Sequence, residues 1–221
     1  MNENPEFNKE EITESVNEQN EEINTAESKK TLFTRVATVY DFLEILAFSV
    51  LAVLLVFTLI FRVCRVDGDS MNQTLTDGET LIISDLFYEP EQGDIVVFHL
   101  CQGESGFNQP LIKRVIADEG QTVVIDLTDE AVYVDGIKLD EDYAYFKSEG
   151  YNIAYFNVAN LERTDDGHIQ YIVTVPEGKI FAMGDNRNGS TDSRSKSVGF
   201  VDKNTVLGKA LFRVVPFTLF K

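Results

Sequence analysis

The apolar and polar positions divide the chain into three stretches. From Phe42 to Phe61 it reads FLEILAFSVLAVLLVFTLIF, twenty residues whose one charge, Glu44, lies near the N-terminal end. At 1.5 Å rise per residue a helix of that length covers ~30 Å, the hydrocarbon thickness of a bilayer. It has no polar stripe of the kind that marks a surface helix of a globular domain, so a transmembrane helix is predicted over residues 41–62. After it, short β-branched and aromatic runs alternate with turn residues: TLIIS, GDIVVFHL, PLIKRVIA, QTVVIDL, AVYVDG, QYIVTV, GKIFAMGD and ALFRVV. Eight such runs, without a long amphipathic helical pattern, predict a mainly β, antiparallel domain over 63–221, with a tight Asp-Gly turn at Asp135 and Gly136. Tyr143 to Gly167 is polar and aromatic without clean alternation, and is expected to be an excursion between core strands with no legible role. The C-terminal run ALFRVVPFTLF spans eleven residues and contains Arg213 and Pro216, too short and too interrupted to span a membrane.

The third stretch precedes the apolar run. Met1 to Ser28 contains nine acidic side chains and one lysine, with few apolar residues at regular spacing. Such a segment buries too little surface to offset its ordering entropy, so residues 1–40 are expected to be an acidic, disordered tail. Its length and acidity are also wrong for the short basic region of a cleavable signal peptide, which makes the apolar run an uncleaved anchor. Lys29, Lys30 and Arg35 lie before the span, and Arg62 and Arg65 lie after it. The positive-inside count therefore favours a cytoplasmic N-terminus, in a single-pass cell-membrane protein whose remaining domain is extracytoplasmic. A formal charge of −18, with no basic stripe interleaved with aromatics, sets nucleic acid aside as a partner. The cysteines, Cys64 and Cys101, lack zinc-ligand spacing and are read as two buried or unpaired thiols, a structural disulfide between them being the alternative.

The candidate chemistry narrows by elimination. Only His99 and His168 could serve as the histidine of a Ser-His-Asp triad, and no serine sits in a G-x-S-x-G elbow. HExxH is absent, and GDNRNGSTDSR, Gly184 to Arg194, departs from a calcium loop at Arg187 and lacks its closing Glu. No metal and no cofactor is expected. A lysine serves as a base if an apolar site lowers its pKa. In LIKRVIA, strand alternation puts Leu111, Lys113, Val115 and Ala117 on one face and Ile112, Arg114 and Ile116 on the other. One of the two cations therefore faces inward, and periodicity does not say which.

Four segments, in order, resemble bacterial type I signal peptidases, the membrane-anchored Ser/Lys endopeptidases of peptidase family S26, and most closely the Gram-positive type: VDGDSMNQTL, QGDIVVF, LIKRVIADEGQ, and GDNRNGSTDSR followed by GFV. The resemblance implies an antiparallel β-sheet catalytic domain of the signal-peptidase and repressor-protease type, preceded by one transmembrane helix. It makes Ser70 the nucleophile and Lys113 the general base. By the same resemblance Ser190 orients the lysine, while Asp192 and Arg194 pair to hold the last loop. The oxyanion would meet the Ser70 backbone N–H, and Gly68, standing where some members carry a serine, can offer only backbone. Val66, Met71, Leu75 and Ile112 would line shallow pockets that admit small side chains, giving Ala-x-Ala cleavage of secretory preproteins. The implied partners are those preproteins, the lipid bilayer and the secretion machinery.

One position departs from the pattern: three residues after the nucleophile the family usually has proline, where this chain has Gln73. Glutamine restores an N–H and conformational freedom to the turn. The alternative to a peptidase is accordingly a catalytically weak or inactive relative that assists assembly of surface proteins or fibres. A self-cleaving repressor-type protease shares the dyad, but the acidic tail and spanning helix argue against it.

Overall fold

The computed structural model describes residues 34–35, 38–100, 110–146 and 150–220. The acidic tail up to residue 33, with Lys29 and Lys30, and Cys101 lie outside them. The chain divides into two compact units, Met1–Phe57 and Thr58–Lys221. Helix α1 covers Thr38–Ile60, 23 residues that are long and apolar enough to cross a membrane. It starts earlier than the predicted 41–62 and also stops earlier. The reason is pairing: Phe61 and Arg62 already face Ser84 and Ile83 across an antiparallel ladder.

Thirteen strands follow among the described residues: β1 (Phe61–Arg65), β2 (Thr80–Ser84), β3 (Ile95–Phe98), β4 (Leu111–Ala117), β5 (Thr122–Asp126), β6 (Ala131–Val134), β7 (Ile137–Lys138), β8 (Leu161–Arg163), β9 (Ile169–Thr174), β10 (Lys179–Met183), β11 (Val201–Asp202), β12 (Val206–Arg213) and β13 (Thr218–Leu219). They form two antiparallel sheets. One has the order β1-β2-β12-β3-β4-β10-β11, with β13 on β12, and the other the order β7-β6-β5-β9-β8. Every one of the eight sequence runs contains a strand. The five strands not foreseen are short or, like β1, abut the apolar helix and lack an alternation of their own.

The second sheet is inserted between β4 and β10, neighbours in the first sheet, and the two sheets share a core. Ile116 and Ala117 of β4 and Phe181 and Met183 of β10 pack with Val123, Ile125, Val132, Val134, Tyr171 and Val173 of the second sheet. Burying a Val, Ile, Phe or Met side chain contributes ~1.5–3 kcal/mol, so this shared cluster fixes where β4 and β10 sit. Edge-to-face aromatic pairs extend it: Phe146 to Tyr151 at 5.0 Å between centroids, Tyr151 to Phe156 at 5.6 Å and Phe156 to Tyr171 at 5.3 Å. These rings anchor the excursion that sequence periodicity left unread.

Candidate active site

Ser70 lies in the connection between β1 and β2. The ladder continues beyond the strands through Val66 N–H to Glu79 O at 2.8 Å and Gly78 N–H to Val66 O at 2.9 Å, which closes the base of the loop. Inside it, Leu75 N–H donates to Met71 O at 2.8 Å, a helical turn that sets Ser70 at its start. Gly68 has φ +86°, a left-handed conformation that a side chain would strain. Its N–H donates to the Asp77 carboxylate at 2.9 Å and is thereby spent within the loop. The Ser70 N–H has no acceptor among the described residues. Gln73, in place of the family's proline, is exposed.

Lys113 lies in β4, paired across to Val96 of β3. It is 2% exposed, and its Nζ lies 2.9 Å from Ser70 Oγ and donates to Ile112 O at 2.8 Å. Burial pushes its pKa down to about 8; the Asp192 and Asp185 charges pull it up, and Arg194 pushes it down further. A base whose pKa lies near neutrality is half deprotonated close to working pH while retaining basicity. The choice between the two cations of β4 thus resolves: Lys113 is buried, and Arg114, with 12% of its side chain exposed, pairs with Asp185. Arg114 Nε and Nη2 donate to Asp185 Oδ1 and Oδ2 at 2.9 and 2.7 Å, and Thr74 Oγ1 donates to the same Oδ2 at 2.6 Å.

The segment after β10 packs against the serine loop. Asn186 donates its N–H to Ser70 O and its Nδ2 to Asp69 O, both at 3.0 Å. Gly184 makes that approach possible, since a Cβ there would come within 2.4 Å of Ser70 O and 2.3 Å of Ser190 Oγ. Asp192 and Arg194 form a fully buried bidentate pair, with Arg194 Nε and Nη2 donating to the two carboxylate oxygens at 2.8 Å each. Burial would raise the Asp192 carboxyl, but the Arg194 guanidinium, with the Gly184 N–H and the Ser190 hydroxyl, outweighs it and holds the pKa below the usual carboxylate range. The Asp192 carboxylate also accepts from Gly184 N–H at 2.9 Å, and Arg194 donates to Arg187 O at 2.8 Å. Ser190 is fully buried; its Oγ makes no hydrogen bond to Lys113 and sits close enough to the Asp192 carboxylate to help lower its pKa.

Val66, Met71, Leu75 and Ile112 meet in one apolar cluster with Leu81, Ile83, Ile95, Val97 and Ala210. Leu75 is wholly enclosed, while Ile112 at 8% is the most accessible of the four. Cys64 is a free thiol. The group with metal-ligand spacing found among the described residues, Asp126, Asp129 and His168, sits at hairpin tips of the second sheet. There Asp126 already accepts from the N–H groups of Thr128 and Asp129, from Gln170 Nε2 and from His168 Nδ1. Sequence reading missed Thr74, Asp185 and Asn186 as partners of the dyad. The last two stand inside the quoted Gly/Asp/Asn string, which was the signal available for them.

A family model described as signal peptidase, peptidase S26, matches residues 39–215. A probable signal peptidase I-1 of Synechocystis sp. is 37% identical over 158 residues, covering 68% of this chain and 69% of its own. Signal peptidase IB of Staphylococcus aureus is 34% identical over 163 residues, covering 71% of this chain and 78% of its own. A crystal structure of a signal peptidase I from Enterococcus faecalis, 29% identical, covers 55% of this chain and 97% of that one, with a TM-score of 0.36.

Proposed function

This chain belongs to the signal peptidase family, peptidase S26, a family of serine endopeptidases, and we propose that it cleaves signal peptides from secreted preproteins with a Ser70–Lys113 dyad. The observation that carries the reading is the 2.9 Å contact between Ser70 Oγ and a buried lysine amine. With the amine neutral, the Ser70 hydroxyl donates its proton to Nζ as Oγ attacks the scissile carbonyl carbon. The carbonyl oxygen becomes an oxyanion, for which the unpaired Ser70 N–H is the available donor; one such donor is worth ~2.7–4 kcal/mol of transition-state stabilisation. Collapse breaks the C–N bond, Nζ returns its proton to the leaving amine, and an acyl ester remains on Ser70. Water, deprotonated by Lys113, attacks that ester; the bond from the acyl carbon to Ser70 Oγ breaks, Nζ returns the proton to Oγ, and the signal peptide leaves as a carboxylate.

Substrate would lie extended beside the strand that carries Lys113, adding main-chain hydrogen bonds. The cluster of Val66, Met71, Leu75 and Ile112 would floor pockets too shallow for large side chains, which fits cleavage after Ala-x-Ala. Helix α1 would anchor the enzyme in the cell membrane, with residues 63–221 on the extracytoplasmic face where exported chains emerge. The test is cleavage of an Ala-x-Ala preprotein by the purified full chain in detergent. Ser70→Ala and Lys113→Ala are each expected to lower turnover by three or more orders of magnitude, as loss of a nucleophile or base does elsewhere. Turnover unchanged in both variants would overturn the dyad, and a wild type without turnover would instead favour the assembly-factor reading.

A further inference from the structure

The excursion after β7 touches the catalytic loop through three residues at two-residue spacing. Glu141 accepts from Arg187 Nη2 and Nη1 at 2.7 and 3.1 Å. Tyr145 N–H donates to Asp185 O at 2.7 Å, and Arg187 N–H donates to Tyr145 O at 2.8 Å. Between them the Tyr143 ring lies under the Arg114 guanidinium, 4.0 Å from centroid to Cζ, with Arg187 Cζ at 5.8 Å, and its hydroxyl donates to Glu141 at 3.2 Å. Arg114 is the chain neighbour of Lys113, and Asp185, which it holds, also accepts from the Thr74 hydroxyl of the serine loop.

We propose that Tyr143 is a positioning residue for the dyad: by stacking on Arg114 it keeps that guanidinium on Asp185, and so screens Lys113 from the Asp185 carboxylate. This rests on the Ser70–Lys113 reading. The charged groups acting on Lys113 are Asp192, Arg194 and Asp185, in that order of weight, with burial outweighing all three. Asp192 is neutralised by Arg194 inside the protein, where neither partner has freedom to move. Asp185 is neutralised by Arg114, whose side chain keeps some contact with solvent. A guanidinium stacked on an aromatic face gains ~0.5–2 kcal/mol, which adds to the Arg114 Nη1 bond to Gly93 O at 2.7 Å in holding this partly exposed arginine in one rotamer. Without the ring Arg114 samples water, the Asp185 charge acts on Lys113 uncompensated, and the protonated amine is favoured.

The experiment is the pH profile of kcat/KM for an Ala-x-Ala preprotein, with the full chain in detergent. Tyr143→Phe keeps the ring and is expected to leave the acid limb where it is. Tyr143→Leu and Tyr143→Ala are expected to move that limb up by about half to one pH unit, a roughly three- to tenfold loss at pH 7 that disappears above the limb. A purely structural role would instead lower the rate by the same factor at every pH. An unmoved limb in both ring-deleting variants overturns the proposal, whether or not the rate falls. The Ser70→Ala and Lys113→Ala controls separate the two readings: if they abolish cleavage while the limb stays fixed, only the role of Tyr143 fails.

Discussion

Burying Lys113 costs folding free energy whenever the amine is charged, and the same cost makes it a base. In the unfolded chain it holds its proton up to about 10.5, and in the folded protein it releases it at about 8. Between those values the unfolded state binds more protons, so this residue's contribution to stability rises with pH through that window. Below pH 8 the penalty is largest, ~3 kcal/mol at 1.36 kcal/mol per pKa unit. Lys113→Met is therefore expected to abolish cleavage and to stabilise the fold by roughly that amount at pH 7, the gain shrinking above pH 8 and gone beyond about 10.5. Urea denaturation of both proteins at several pH values checks it; a Lys113→Met protein no more stable than wild type at pH 7 would contradict the burial argument. Wild-type cleavage should correspondingly rise as pH passes about 8.

Among the elements, the hairpins of the second sheet carry a separate ionic device. His168, in the turn before β9, donates through Nδ1 to Asp126 Oδ2 at 2.9 Å, at the end of β5. The hydrogen bond to Asp126 raises the His168 pKa above its usual 6.5, partial burial opposing it, and the Asp126, Asp129 and Asp166 charges add to the rise. A raised folded pKa stabilises the protein below the unfolded value, and that contribution is lost as pH rises through the folded value. His168→Gln is expected to lower Tm at pH 5.5 and to leave it nearly unchanged at pH 9, while cleavage per folded molecule is unaffected. Equal destabilisation at both pH values would show that packing rather than charge holds the two turns. The excursion that follows this sheet's β7 is also an element-scale feature. Its apolar contacts are aromatic rings meeting edge-to-face, an arrangement with no sequence period, which is why a search for alternation passes over it.

For the whole molecule the expectation is a single-pass topology with the tail and the β unit on opposite sides. In intact cells an external protease is expected to remove an epitope at the C-terminus and to spare one in the acidic tail; the reverse pattern would invert the orientation. The span, the β class, eight of the strands and the order of the chemical segments were legible in the sequence because each depends on local periodicity or on residues adjacent in the chain. Local pattern could not decide between Lys113 and Arg114, since both alternate with apolar neighbours on β4. That choice needed β3, β10 and the loop after β10: they remove Lys113 from water and bring Asp185 to Arg114. The tertiary structure likewise decided that Gly68 N–H is taken by Asp77, that Ser190 Oγ has no bond to Lys113, and that Tyr143 lies on Arg114. By itself the sequence determined which groups are present and which face of a strand each can occupy. Which charge meets which across 40 to 110 residues of chain depends on the closure of the sheets, as the spacings of Ser70 to Lys113 and Thr74 to Asp185 show.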